Sequence, residues 1–366
     1  METIGDVYRN LGLYPEAEKL LQQALDDRRR LLGDEHPQTL ASLNSLGFLY
    51  WKQARYDEAE QLYLEALETG RRVLGDEHPQ VLHTMNNLGI VYKNQFRLDE
   101  AETIYLETLS IRRRLLGDDD PETLATQMNL ANIYLRKGDY DEAEKRYLEV
   151  LEAERRVLGR DHPGTFSTAV NLAIVYREQG RLDESETLFR ETLEQQRRVL
   201  GVDHPDALRS MNILGLVYLD QERYEEARTL YIENVASRKR VLGDDHPDTL
   251  LSMGNLALAY MKLERFDDAE SLYLETLETQ ERTLGEGHPN TAVSLYNLAR
   301  LYRDTDRFAE SGEYFERTLK VDEQALGPDH PYVADDLEEY AKLRRKMGDA
   351  AGAAELEARV KAIRDE

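Results

Sequence analysis

The chain contains no cysteine in 366 residues. That excludes a disulfide framework and a thiol nucleophile, and it fits a reducing compartment. No apolar run approaches the length of a membrane span, and no signal-peptide pattern opens the sequence. A soluble, cytoplasmic protein with no membrane partner is the default expectation. Positive charge is in deficit: 47 Lys and Arg stand against 72 Asp and Glu, a formal net charge of −25. Nucleic acid is disfavoured as a partner, because binding it requires many phosphate-neutralising side chains. Catalytic signatures are missing too. No glycine-rich phosphate loop precedes a helix, and no histidine stands beside a serine nucleophile outside one recurring slot. Carboxylate pairs recur at every second helix start, whereas catalysis needs one pocket with pKa values pushed apart. Neither an enzyme nor a cofactor is expected.

What the sequence does contain is a period. Val73-Leu74-Gly75-Asp76-Glu77-His78-Pro79 returns with small changes seven more times, and its glycines (Gly33, Gly75, Gly117, Gly159, Gly201, Gly243, Gly285 and Gly327) are each 42 residues apart. A fixed spacing of that size marks a repeat array, whose length is not set by one closed core. Within the linker, glycine suits a left-handed residue just past a helix end. Arg71 and Arg72 fall in the last turn, against the negative end of the helix dipole. Pro79 fits the first position of the next helix, and His78 the N-cap before it. Asp120 replaces the histidine at one linker. The other seven linker histidines invite a metal reading. Metal ligands lie within about 2.0–2.3 Å of the ion, whereas equivalent residues of stacked helices are roughly 8–10 Å apart. Capping, not metal binding, is the expected role. His83 lies outside the slot, on a helix face, and reads as solvated.

Each block holds two helical patterns. The first runs from about Pro79 to Asn94, with Leu82, Met85, Leu88, Gly89 and Tyr92 on one face. The second runs from about Asp99 to Leu116, with Ala101, Ile104, Tyr105, Thr108, Leu109 and Ile111 inward. Acids crowd its start and arginines its end. The short break between them makes the two helices antiparallel neighbours. The locking side chains repeat with the period. Tyr8, Tyr50, Tyr92 and their equivalents form one ladder, Tyr63, Tyr105, Tyr147, Phe189, Tyr231, Tyr273 and Phe315 a second, and small residues such as Gly47 and Gly89 mark close contact.

The expected organisation is a truncated first repeat over 1–32, seven full repeats over 33–326, and a C-terminal capping pair over 327–366. The start reads as if cut from a longer array. In the last pair Arg344 replaces a ladder tyrosine and Glu357 a buried aromatic, a polar drift suited to a cap.

The order Leu-Gly/Ala-x-x-Tyr, then Ala, then an aromatic resembles tetratricopeptide repeats. The 42-residue length, the LGxxHP linker, and stretches such as Asn86-Asn87-Leu88-Gly89 and Met211-Asn212-Ile213-Leu214 resemble the kinesin light chain subclass, which bacterial multi-repeat proteins also use. The resemblance covers essentially the whole chain. It implies an all-α fold, a right-handed superhelical α-solenoid of antiparallel helix pairs. It also implies that first helices line a concave groove holding an extended peptide segment of a partner, a protein-protein interaction scaffold. The heptad segment by which kinesin light chains join their motor is not among these residues, so a motor-adaptor role is not expected.

Candidate groove residues follow from the first helices. One solvent-side position carries Asn87, Asn129, Asn171, Asn255 and Asn297, and its neighbour carries Asn44, Asn86 and Asn212. Asparagine is a moderate helix former, while its amide both donates and accepts, as a peptide backbone requires. In kinesin light chains some matching asparagines grip cargo. The competing reading is an internal polar ladder bridging adjacent helices, and both can hold. Beside these rows stand Phe48, Ile90, Ile174, Leu216 and Leu258, interrupted by Asn132 and Arg300. Lys93, Arg136 and Arg177 belong to a basic set with Arg9, Lys52, Arg209, Lys262, Arg300 and Arg303, against the acids Asp6, Glu178, Asp220 and Asp304. A partner peptide with acidic and apolar residues is therefore expected. Two other readings stay open. One is a sensor or regulatory arm of a larger signalling protein, such as a kinase or nucleotide-driven switch. The other is a structural, self-assembling spacer. The sequence does not fix the oligomeric state.

Overall fold

The computed structural model describes residues 2–365, and no strand occurs among them. Two compact units divide the chain between Arg181 and Leu182. The first holds α1 (Glu2–Asn10), α2 (Tyr14–Leu32), α3 (Pro37–Lys52), α4 (Tyr56–Leu74), α5 (Pro79–Asn94), α6 (Leu98–Leu116), α7 (Pro121–Lys137), α8 (Tyr140–Val157) and α9 (Pro163–Glu178). The second holds α10 (Leu182–Leu200), α11 (Pro205–Asp220), α12 (Tyr224–Leu242), α13 (Pro247–Lys262), α14 (Phe266–Leu284), α15 (Pro289–Asp304), α16 (Phe308–Leu326), α17 (Pro331–Lys346) and α18 (Ala350–Asp365). Each unit is an all-α solenoid. Successive helices pack on one another, and the odd-numbered helices α1, α3, α5 and α7, or α11, α13, α15 and α17, also touch in a layer of their own.

The linker builds this arrangement by local rules. Seven histidines cap seven helices. In each, the ring Nδ1 accepts the backbone N–H two residues on, as Gln80 donates to His78 at 3.2 Å. Asp120 accepts from both Glu122 and Thr123. The glycine differs from the expectation. Gly117 has φ 90° and ψ 170°, and Gly75 φ 90° and ψ 156°. The positive φ is as anticipated, but the extended ψ takes these residues out of the left-handed helical region into one that is essentially glycine's alone.

The core lies between the two helices of each pair and the next pair. Tyr63, Tyr105, Tyr147, Tyr231 and Tyr273 are fully buried. A Cβ on Gly89 would sit 2.6 Å from the Tyr105 ring, so the absence of a side chain there sets the approach of α5 to α6. The other tyrosine ladder is closed from outside by arginine. The Arg97 guanidinium lies 4.3 Å from the Tyr92 ring centroid and pairs with Glu60 at 2.8 Å. Arg55, Arg223 and Arg307 repeat the arrangement on Tyr50, Tyr218 and Tyr302. Where Asp139 occupies the arginine position, Lys137 pairs with Asp99 and Glu102 instead.

Arginines at the ends of second helices do more than meet a dipole. Arg71 pairs with Glu107 on the next second helix at 2.7 Å, and Arg114 with Glu77 in the preceding linker at 2.8 Å, so second helices are stitched to the repeats on both sides. Exposed pairs of this kind contribute about 0.2–1 kcal/mol each. They tune register more than they hold the fold.

Candidate peptide-binding face

The solvent side of the odd-numbered helices carries the candidate residues. On α5 it presents His83, Asn86, Asn87, Ile90, Lys93 and Asn94, a stripe at helical spacing, while Leu82, Met85, Leu88 and Val91 turn inward.

The two asparagine rows behave differently. Asn44 is buried; its Nδ2 donates to the Leu40 carbonyl at 2.9 Å, and its Oδ1 accepts from Thr84 on the next first helix at 3.0 Å. Asn212 is buried as well and accepts from Ser252 and Asn255. Asn86 accepts from Asn129 at 3.1 Å. These five amides bridge adjacent first helices, as the internal-ladder reading describes. Asn87 stands apart, with its Nδ2 3.2 Å from Nε2 of His83. Asn171 and Asn297 are half-buried, and their amides have no hydrogen-bond partner among the described residues.

The apolar row is half-exposed at Phe48, Ile90, Ile174, Leu216 and Leu258. Its break at Asn132 has a cause: the buried Tyr147 hydroxyl donates to Asn132 Oδ1 at 2.7 Å. At the start of the row, Phe48 stacks on Trp51 with ring centroids 5.3 Å apart. The Arg9 guanidinium lies 4.8 Å from the Phe48 ring, and the Lys52 ammonium 5.1 Å from the Trp51 ring. Arg9 is also paired with Asp6 at 2.7 Å, whereas Lys52 is held over the rings with no acidic partner among the described residues.

The basic set divides. Lys93 and Arg136 have no acidic partner among the described residues. Burial first, and then the Arg136 charge, pulls the Lys93 ammonium below its ordinary pKa, so this corner gains from an incoming anion. Arg177 pairs with Glu178 at 3.3 Å. Arg303 is buried against Asp304 and Glu339 and is therefore no open groove cation, contrary to its place in the sequence-derived set.

His83 escaped the sequence reading as a groove residue. Its spacing to Asn87 and Ile90 was the available signal. Its surface is open, yet desolvation by the surrounding helices pushes its pKa down. Phe96 also escaped notice. It is 77% exposed at φ 60° in the turn before α6, with the Arg136 guanidinium 5.8 Å from its ring.

No helix of the described residues is long and apolar enough to cross a membrane. A search of curated proteins gives no match. Among solved structures, the chain is similar to the nearly identical TPR-like repeats of a Podosopora anserina kinesin light chain-type protein. They share 27% identity over 57% of this chain and 98% of that one, with a TM-score of 0.51. BtubC (BKLC) from P. vanneervenii shares 21% over 64% of this chain and 94% of its own, with a TM-score of 0.55. The apo quorum sensor NprR from B. thuringiensis shares 15% over 99% of this chain and 97% of its own, with a TM-score of 0.66. The last two likenesses are of fold. The tetratricopeptide repeat signature matches in eight overlapping segments: 1–69, 43–114, 86–153, 122–184, 164–231, 210–260, 252–311 and 296–366. With its linkers, ladders and paired helices accounted for, and with repeats similar to those of kinesin light chain-type proteins, the chain belongs to the tetratricopeptide repeat family and is a protein-interaction scaffold.

Proposed function

We propose that the solvent side of the first helices holds an extended segment of a partner protein, and that the segment carries acidic residues beside an apolar anchor. The observation behind this reading is the corner formed by Lys93, Arg136, Ile90 and Asn87: two cations without acidic partners among the described residues, a half-exposed aliphatic side chain and an amide at the surface. Unlike charge steers and orients a partner. Asn87, Asn129, Asn171 and Arg177 extend the face in the first unit, and Asn255 and Asn297 offer amides in the second. Asn44, Asn86 and Asn212 support it from beneath through the bridges described above. A rigid scaffold leaves the ordering cost mainly on the peptide.

Paired capture from host lysate with mass spectrometry tests the reading. One bait is the intact chain; the other carries Asn129→Ala, Asn171→Ala, Arg136→Glu and Arg177→Glu, with its helicity checked. A partner held by the first bait alone, through a peptide whose acidic form binds at least about tenfold tighter than its basic form, is expected. Equal capture by both baits would move the site off this face.

A further inference from the structure

One junction in the second unit sets two carboxyls against each other. At three other junctions a second helix and the following first helix meet through a donor and an acceptor 14 residues apart. Arg28 donates to Ser42 and Arg112 to Thr126, both at 2.6 Å, and Ser294 donates to Gln280 at 2.7 Å. The same two positions between α16 and α17 hold Asp322 and Asp336, two acceptors. Asp336 is 6% exposed, and its Oδ2 is buried without a hydrogen-bond donor among the described residues. No lysine or arginine of the described residues pairs with either carboxyl. The charged groups that bear on them are His330, beside Asp322, and Asp335, already paired with Arg364 at 3.1 Å.

The two carboxyls line a cleft of about 400 Å³ between α15 and α17. Its walls are apolar and aromatic: Val293, 58% exposed, Tyr296, Leu326, and Tyr332, 65% exposed. A buried acid pair at the foot of an open apolar cleft suits a cation on an apolar stem. A lysine side chain has that form. Its compact ammonium offers three donors to two facing carboxyls, its methylenes match the walls, and the tyrosine faces attract positive charge. We infer that this cleft receives a lysine side chain of a partner protein, with the ammonium set between Asp322 and Asp336. Burial and the facing carboxyl both push the Asp336 carboxyl upward, the direction expected of an acid pair that lacks a cation. The inference stands apart from the peptide reading, which rests on α5 and α7.

The test uses the intact chain and three short acetylated, amidated peptides identical but for a central lysine, arginine or norleucine. Binding is followed by ligand-observed NMR at physiological salt, where attraction to the chain's general negative charge is screened but a buried pair is not. The comparison protein is Asp322→Gln/Asp336→Ser, which copies the Gln280–Ser294 pair that the preceding repeat already accommodates. The lysine peptide should bind the natural chain at least about tenfold tighter than the double variant, and tighter than either other peptide, as loss of charged hydrogen bonds requires. Equal binding of the norleucine peptide would make the cleft merely apolar and overturn the proposal. So would tighter binding of the arginine peptide, or unchanged lysine binding to a double variant whose circular dichroism and melting match the parent.

Discussion

The charged side chains of the two units keep different company. In the first, Lys52 lies over Phe48 and Trp51, and Lys93 and Arg136 have no acidic partner among the described residues. In the second, Arg303, the counterpart of Lys93, is buried against Asp304 and Glu339, Lys342 is engaged by Glu338 and Glu339, and Asp322 faces Asp336 without a counter-charge. The frames nevertheless match: histidine caps, positive-φ glycines and buried aromatics recur in both. Stacking uses the inward side of each helix, so the outward side is free to change sign. One architecture can carry cations without acidic partners among the described residues in one stretch and a buried acid pair in another.

The shared frame can be attacked first. Gly117→Val and Gly243→Val, at φ 90° and 94°, should each destabilise by about 2–3 kcal/mol in urea denaturation, because valine resists that backbone region. Nothing lies within 4 Å of where either Cβ would go, so the cost is conformational and should be alike in both units. A large difference between them would break the claim of a common frame. The next effect separates the units. Asp336 is pushed from its ordinary 3.8 up to about 8 in the folded chain, so the folded state holds the proton more tightly than the unfolded one. Its stabilising contribution is thus present at acid pH and is lost as pH rises from about 4 to about 8, an effect on the order of 1–2 kcal/mol. Hydrogen exchange in α17, corrected for intrinsic rates, should quicken over that range and cease to do so in Asp336→Ser; α5, in the first unit, should show no such trend. A third comparison concerns binding. Lys93→Glu/Arg136→Glu should weaken an acidic peptide about tenfold, about 1.4 kcal/mol, and Lys262→Glu by much less. Equal losses would erase the contrast between units. The smallest effect tests the frame again. Ala54 and Glu264 hold φ 58° and 56° where other repeats place Gly12, Gly138 or Gly180. Replacing either with glycine should stabilise by about 0.5 kcal/mol, the relief of strain less the added freedom of the unfolded chain.

Nearly all of the frame is legible in the sequence, because each of its residues answers a local demand. Pro79 needs no N–H donor, His78 offers a cap acceptor, Gly75 permits positive φ, and the tyrosine–glycine pairing reports a close helix approach. The α5 boundaries come out as read, and α6 begins at Leu98, one residue before the expected Asp99. The face is less legible, because it depends on what the neighbouring repeat brings. Asn86 and Asn87 are adjacent and chemically identical, yet Asn86 faces Asn129 and Asn87 faces His83. Only the offset between helices decides which amide is enclosed. Arg303 reads as a groove cation until Glu339, from the next repeat, is set beside it. Asp322 and Asp336 look like ordinary surface acids in the sequence; only folding sets them against each other.

The ion pairs along the second helices carry one more implication. Arg71 reaches forward to Glu107, Arg113 forward to Glu149, and Arg114 back to Glu77, always into the adjoining block and never beyond it. Remove residues 76–117, one period, and Arg71 would meet Glu149 in the place Glu107 held, with the caps and linker intact. A cut that is not a whole number of periods would leave the partners out of step. The number of repeats is therefore a quantity that copying errors in the gene can change a whole block at a time, each product already matched at its seam, so that reach and valence can evolve without redesign of a single contact.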